Sequence, residues 1–245
     1  MGLLHYLAHS IPLRHFIENK LFRPARSWKK LTAAASFDQS LHALAHQDAA
    51  AYAYEHFKSA AYFQSKKELY DLLLEKVAGV NGLLLECGVY KADTLNYFAA
   101  RSQARTWHGF DSFEGLPEDW GGGEKGKGAF SLGGHLPSVK ANAQLHPGWF
   151  EHTVVPFLQA QKQSVAFVHL DADLYSSTKT VLEAISPYLQ PGTLLLFDEY
   201  FGQIGWREGE HKALLEWLPS CGYEAHCVAY AANGAVLFAV TQPST

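Results

Sequence analysis

The sequence predicts an α/β fold: a mixed, mostly parallel sheet with helices on both faces, preceded by a helical extension. Three observations predict it. From Gly82 onward, short continuous apolar runs alternate with helical stretches, as in a sheet buried on both faces. The last two strand-like runs, "YEAHCVAY" and "GAVLFAVT", are separated only by Ala231-Ala232-Asn233-Gly234, so they must be antiparallel neighbours. Residues 1 to about 80 show no strand alternation, and carry Ala, Leu, Glu and Lys at helical spacing.

The elements follow in order. In "SKKELYDLLLEKVAG", Leu69, Leu72, Leu73 and Val77 share one helix face. Ser65 with Glu68 fits a capping box, and Gly79 is the expected C-cap. This extension, residues 1–80, is expected to cover one end of the domain; a lid or a dimerising surface is the functional alternative. Residues 81–245 form the main domain. There "GLLLECGV" reads as a strand, "ADTLNYFAARSQA" as a helix, and "TWHGFD" and "SVAFVHLD" as strands. Then come "SSTKTVLEAISPYLQ" as a helix stopped by Pro191-Gly192, "TLLLFDEY" as a strand, and "GEHKALLEWLPSCG" as a helix. Residues 112–135, rich in Gly, read as a long mobile loop near a site.

Composition narrows the function. The chain has 245 residues and a formal net charge of -4, which argues against a nucleic-acid partner held by a basic surface. Its three cysteines, Cys87, Cys221 and Cys227, show no CxxC spacing, so a disulfide framework is not expected and a reducing cytoplasm is. The opening "MGLLHYLAHSIPLRHF" lacks the pattern of a signal peptide, and Tyr6 stands where a myristoylation signal has Ser or Thr. No run is long and apolar enough to span a bilayer.

Ligands of open α/β sheets sit at the carboxyl ends of the strands, so the strand ends carry the functional argument. The first offers Glu86-Cys87-Gly88-Val89 and then Thr94: an acid, a turn glycine and a helix start. A plain strand-to-helix turn explains it equally well, and it is not GxGxxG. The second offers Asp111-Ser112-Phe113; an acid one strand after a glycine turn suits ribose hydroxyls. Together they favour a nucleoside ligand. The third and fourth offer Asp171, with Asp173, and Asp198-Glu199. Asp171 and Asp198 end strands either side of one helix, and carboxylates that close repel unless a cation or proton sits between them. Asp171, Asp198 and Glu199 suit a Mg²⁺-type site. Asp173 is expected to cap the next helix.

The segments "LLLECGVYKADTL", "WHGFDSFEGLPE", "PGWFEHTVVP" and "VHLDADLYSSTKTVLEAISPYLQPGTLLLFDEY" resemble the macrocin O-methyltransferase family over roughly residues 65 to 240. These are class I S-adenosylmethionine-dependent methyltransferases that tailor macrolide and aminocoumarin sugars. The resemblance implies a Rossmann-like seven-stranded sheet with a reversed last strand. It implies Glu86 and Gly88 flanking the methionine part of the cofactor, with Val89 and Thr94 in the same turn. Asp111 would hold the ribose hydroxyls, with Ser112 and Phe113 near the adenine. Asp171, Asp198 and Glu199 match the family's Mg²⁺ positions, and Asp171 is its candidate general base. The family shows Asp-Asp at the last pair and this chain has Asp198-Glu199; the longer Glu suits Ca²⁺ more readily than Mg²⁺. "GWFEHT" carries His152 where the family often has an acid.

The expected reaction is methyl transfer from S-adenosylmethionine to a hydroxyl of a small molecule, a sugar of a natural product or glycan, with divalent-metal assistance. His169 and His211 are further base candidates, and Tyr200, Phe201 and Trp206 candidate walls of the acceptor pocket. A non-catalytic nucleoside-binding protein of the same fold, an NAD-dependent oxidoreductase and a metal-dependent hydrolase are the rival readings. A homo-oligomer through the N-terminal helices stays open.

Overall fold

A computed structural model describes residues 37–120 and 125–243 of the chain. Expectations that fall on residues 1–36, including the start of the helical extension, the apolar opening and the Gly2 context, lie outside the described residues. The chain divides into two compact units at residues 43 and 44. Of the first, only the opening turns of helix α1 (Phe37–His56) are described.

The second unit continues with β1 (Ala61–Phe63), α2 (Lys66–Val77), β2 (Leu83–Cys87), α3 (Asp93–Arg101), β3 (Trp107–Asp111) and β4 (Ala143–Pro147). Then follow α4 (Phe150–Gln161), β5 (Val165–Leu170), α5 (Tyr175–Ile185), β6 (Leu194–Phe197), α6 (Glu210–Cys221), β7 (Glu224–Ala231) and β8 (Val236–Thr241). The strands form one sheet in the order β1-β7-β8-β6-β5-β2-β3-β4. Strand β8 runs antiparallel to β6 and β7, and the other pairs are parallel, so the mixed sheet and its terminal hairpin are as the sequence predicts.

Two strands correct the sequence reading. The extension does contain a strand: β1 pairs in parallel with β7, through Ala61 opposite Ala229. Three residues are too few to show a period. β4, "AQLHP", was hidden by its polarity; it is the opposite edge strand, where Pro147 leaves no ladder partner short of a donor. The sheet therefore has eight strands rather than seven. Helix α2 starts with the expected capping box of Ser65 and Glu68. Its C-cap is Ala78 rather than Gly79.

Side-chain alternation along the strands divides the core between the two faces. Leu83, Leu85, Leu195 and Phe197 enter one cluster, and Leu84, Leu194 and Leu196 the other. Between β2 and β5 the chain reverses its direction of travel across the sheet: β3 and β4 lie to one side, β5 and β6 to the other. Side chains at the carboxyl ends of these strands meet over that switch point.

Candidate active site

A cavity of about 530 Å³ opens at this switch point. Gly88, Asp111, Asp171, Asp173 and Glu199 line it from the strand ends, and Tyr90, Phe130, Trp149 and Phe150 contribute aromatic surface.

On the β2–β3 side, Gly88 holds φ at +95°, and a Cβ there would come within 1.8 Å of the Asp171 carbonyl oxygen. The glycine is required by the main chain crossing beside it as well as by any ligand. Asp111 fastens the turn: its Oδ2 accepts from the N–H groups of Val89 and Tyr90, each at 2.8 Å. Its Oδ1 accepts from the N–H of Phe113 at 2.7 Å. A carboxylate has about four acceptor sites, so Asp111 keeps capacity towards the cavity it lines. Ser112 lines the cavity as well. Val89 and Phe113 are packed into the core beneath it, and Glu86 is 1% exposed. Thr94 meets the hydroxyl of Tyr70.

On the β5–β6 side lies a chain of buried charges. His169, fully buried, brings Nε2 to 3.3 Å from Asp198 Oδ1 and Nδ1 to 3.7 Å from Glu86 Oε2. Burial opposes its charge, but the Asp198 and Glu86 carboxylates outweigh that and push its pKa up to about 10. The other Asp198 oxygen accepts from the Lys66 ammonium. Burial raises the Asp198 pKa, yet His169 and Lys66 more than reverse this and hold it low.

Two sets of donor atoms, each within 4.8 Å, meet at Asp171: His169, Asp171 and Asp198, and Asp171, Asp173 and Glu199. The second set faces the cavity. Asp173 does not cap α5, whose N-cap is Leu174 with no side-chain cap bond. Its backbone sits in the left-handed region at φ +59°, and its side chain bonds with that of Glu199. Burial, and then Asp171, pushes Asp173 up to about 7; burial, and then Asp198 and Asp173, pushes Glu199 up to about 8. Asp171 itself is raised well above the usual range by burial and by Asp198. Behind them Glu210 accepts from the Glu199 N–H at 3.0 Å, and burial raises it strongly.

The aromatic residues expected to wall the pocket lie elsewhere. Tyr200, Phe201 and Trp206 are core residues, packed with Tyr52, Phe57 and His211, and none lines the cavity. His211 sits in that aromatic cluster, its pKa pushed down to about 4 by burial and by Arg207. The long loop does reach the site: Gly115, Leu116, Pro117, Lys125 and Phe130 line the cavity. Leu116 and Ala129 pair through their main chains, and Ser176 at the start of α5 donates to Glu118 at 2.6 Å. Its residues 121–124 lie outside the described residues. Sequence reasoning missed Lys66, which has no local signal, and Asp173, which stood in plain view but was assigned to capping.

Residues 85–200 match a family described as a methyltransferase domain. A curated relative, the 8-demethyl-8-(2,3-dimethoxy-alpha-L-rhamnosyl)-tetracenomycin-C 4'-O-methyltransferase of Streptomyces olivaceus, is 32% identical over 145 residues. That stretch covers 50% of this chain and spans 54% of the relative's length. Among solved structures, the calicheamicin methyltransferase CalS11 aligns over 98% of this chain and 97% of its own, with a TM-score of 0.56 and 23% identity. The O-methyltransferase NovP aligns over 71% of this chain and 79% of its own, with a TM-score of 0.54 and 22% identity. At those identities the structures speak for the fold. Its sheet has the class I methyltransferase fold, residues 85–200 match the methyltransferase domain, and the resemblance to the macrocin O-methyltransferase family stands.

Proposed function

We propose that the protein transfers a methyl group from S-adenosylmethionine to a hydroxyl of a small molecule, a sugar of a natural product or glycan. The observation that carries this is the placement of Gly88 and Asp111 on one side of a single cavity and of Asp171, Asp173 and Glu199 on the other. The cavity volume, about 530 Å³, is in the range of small-molecule sites. The curated relative's name places its own methyl transfer on a rhamnosyl hydroxyl, which supports the sugar acceptor.

The residues fit the cofactor in kind: a glycine at the cavity edge and a carboxylate, Asp111, with acceptor capacity left for a ribose hydroxyl. When bound, S-adenosylmethionine supplies an electrophilic methyl group. Fit to a divalent cation is uneven. Asp171, Asp173 and Glu199 offer oxygens within 4.8 Å of one another, and one buried Glu199 oxygen has no partner. Asp198 does not fit, because its two oxygens face Lys66 and His169. When bound at the cavity-facing set, a divalent ion would lower the pKa of a chelated hydroxyl.

The chain's own groups do the rest. Asp171, at the cavity wall, is the proton acceptor for the attacking hydroxyl; burial and Asp198 favour its neutral form, so a cation beside it would be needed to restore the carboxylate. His169 is buried behind it, and its two carboxylate neighbours favour the protonated form, which suits holding Asp198 and Glu86 in place rather than taking a proton. Trp149 and Phe150 offer flat apolar surface for a sugar ring, and the Glu118–Ser176 bond draws the loop over the cavity.

The test is calorimetric titration with S-adenosylhomocysteine, followed by assay of labelled methyl transfer to a panel of glycosides. Binding in the micromolar range that Asp111→Ala removes is expected. No heat at millimolar ligand rejects the reading.

A further inference from the structure

We propose that Lys66 is a positioning residue of this site: its ammonium is the resident cation of the acid cluster and withholds Asp198 from the oxygens offered to a divalent ion. Lys66 is the first residue of α2, outside the matched segment 85–200. The Ser65–Glu68 capping box fixes the turn that carries it. From there Nζ reaches Asp198 Oδ2, across the sheet end and far along the sequence.

Asp198 is 4% exposed and has two oxygens, one facing Lys66 and the other His169. A metal ligand needs an oxygen aimed at the ion and no positive charge already on it. An ammonium against the same carboxylate repels an incoming divalent ion and occupies the acceptor. Asp198 accordingly does not line the cavity, whereas Asp171, Asp173 and Glu199 do. Lys66 and His169 together bring two cationic groups to the place where the carboxylates would otherwise repel. The position matched to the family's metal acids is thus held by the protein's own charges. The inference rests on the reading of this cavity as the methyl-transfer site, but its test does not use methyl transfer.

The test is titration of the purified, cofactor-free protein with Mn²⁺ alone, followed by electron paramagnetic resonance. Lys66→Ala releases Asp198 and removes a positive charge beside the site, and is expected to tighten Mn²⁺ binding by about tenfold or more. Lys66→Arg keeps a cation beside Asp198 and should retain the wild-type affinity. In the Lys66→Ala/Asp198→Asn double variant the gain should vanish. Unchanged or weaker Mn²⁺ binding in Lys66→Ala overturns the proposal, and so does a gain that survives the Asp198→Asn change. If circular dichroism shows Lys66→Ala unfolded, Lys66→Met, which keeps the apolar stem, is read by the same criteria. A merely structural ion pair would lower the melting temperature without tightening the metal. Failure of the methyl-transfer reading shows separately, in the S-adenosylhomocysteine titration.

Discussion

Gly88 joins two strand ends through the absence of a side chain. Any Cβ there meets the Asp171 carbonyl at 1.8 Å, and the backbone is already in the left-handed region. Gly88→Ala is therefore expected to cost ~2–5 kcal/mol, from backbone strain and overpacking combined. Denaturant unfolding would measure it, and the same variant should lose S-adenosylhomocysteine affinity because Asp171 and Asp111 shift with the turn. At this scale the sequence was partly legible. Asp111, Asp171 and Glu199 could be found because each follows an apolar run that can only be a buried strand. Glu86 was found for the same reason, but strand position does not say where a side chain turns, and this one faces His169 in the interior. Asp173 could not be assigned, since the positive φ that aims it at Glu199 has no mark in "DADLY". Lys66 was invisible, because its partner is remote in the chain.

Helix α2 shows how an element's start sets the reach of one side chain. Ser65→Ala removes the capping hydroxyl and should cost about 1 kcal/mol. Urea unfolding would give that loss, and the Mn²⁺ affinity should move slightly in the direction of Lys66→Ala as the first turn frays. The loop over the cavity is fastened by the Ser176 hydroxyl on Glu118. Ser176→Ala should speed limited proteolysis within residues 112–135 and raise the acceptor KM more than it lowers kcat. The loop's length and glycine content announced a functional segment, whereas its folding onto the site depends on main-chain bonds such as Leu116 to Ala129. Among the strands, β5 and β6 were legible as unbroken apolar runs, and β7 and β8 from their short connection. β1 and β4 are sheet edges, which need little apolar surface and so leave little pattern.

The whole molecule is expected to respond to acid through buried imidazoles. His108 is driven down to about 4 by burial and by His146, and His211 to about 4 by burial and Arg207. Their folded values lie below the ordinary imidazole value of about 6.5, so on acidification the unfolded chain takes up protons first. Their contribution to stability is fully present above that value and is lost as pH falls from ~6.5 towards 4. The raised carboxyls of Asp173 and Glu199 act in the opposite sense over the same window, so the imidazole contribution is read as a difference between wild type and variant. Relative to wild type, His211→Phe, which keeps a ring in the aromatic cluster, should gain stability on acidification from ~6.5 towards 4, by up to ~1.4 kcal/mol per pH unit.

The β1–β7 ladder ties almost the earliest described segment to almost the last, Ala61 to Ala229. Ribosomal synthesis delivers those two strands on the order of ten seconds apart or more. The middle strands can zip together as they emerge, but the leading edge has nothing to join until β7 has been made. Until that seam closes, the Lys66 turn that follows β1 has no fixed anchorage from which to reach its carboxylate.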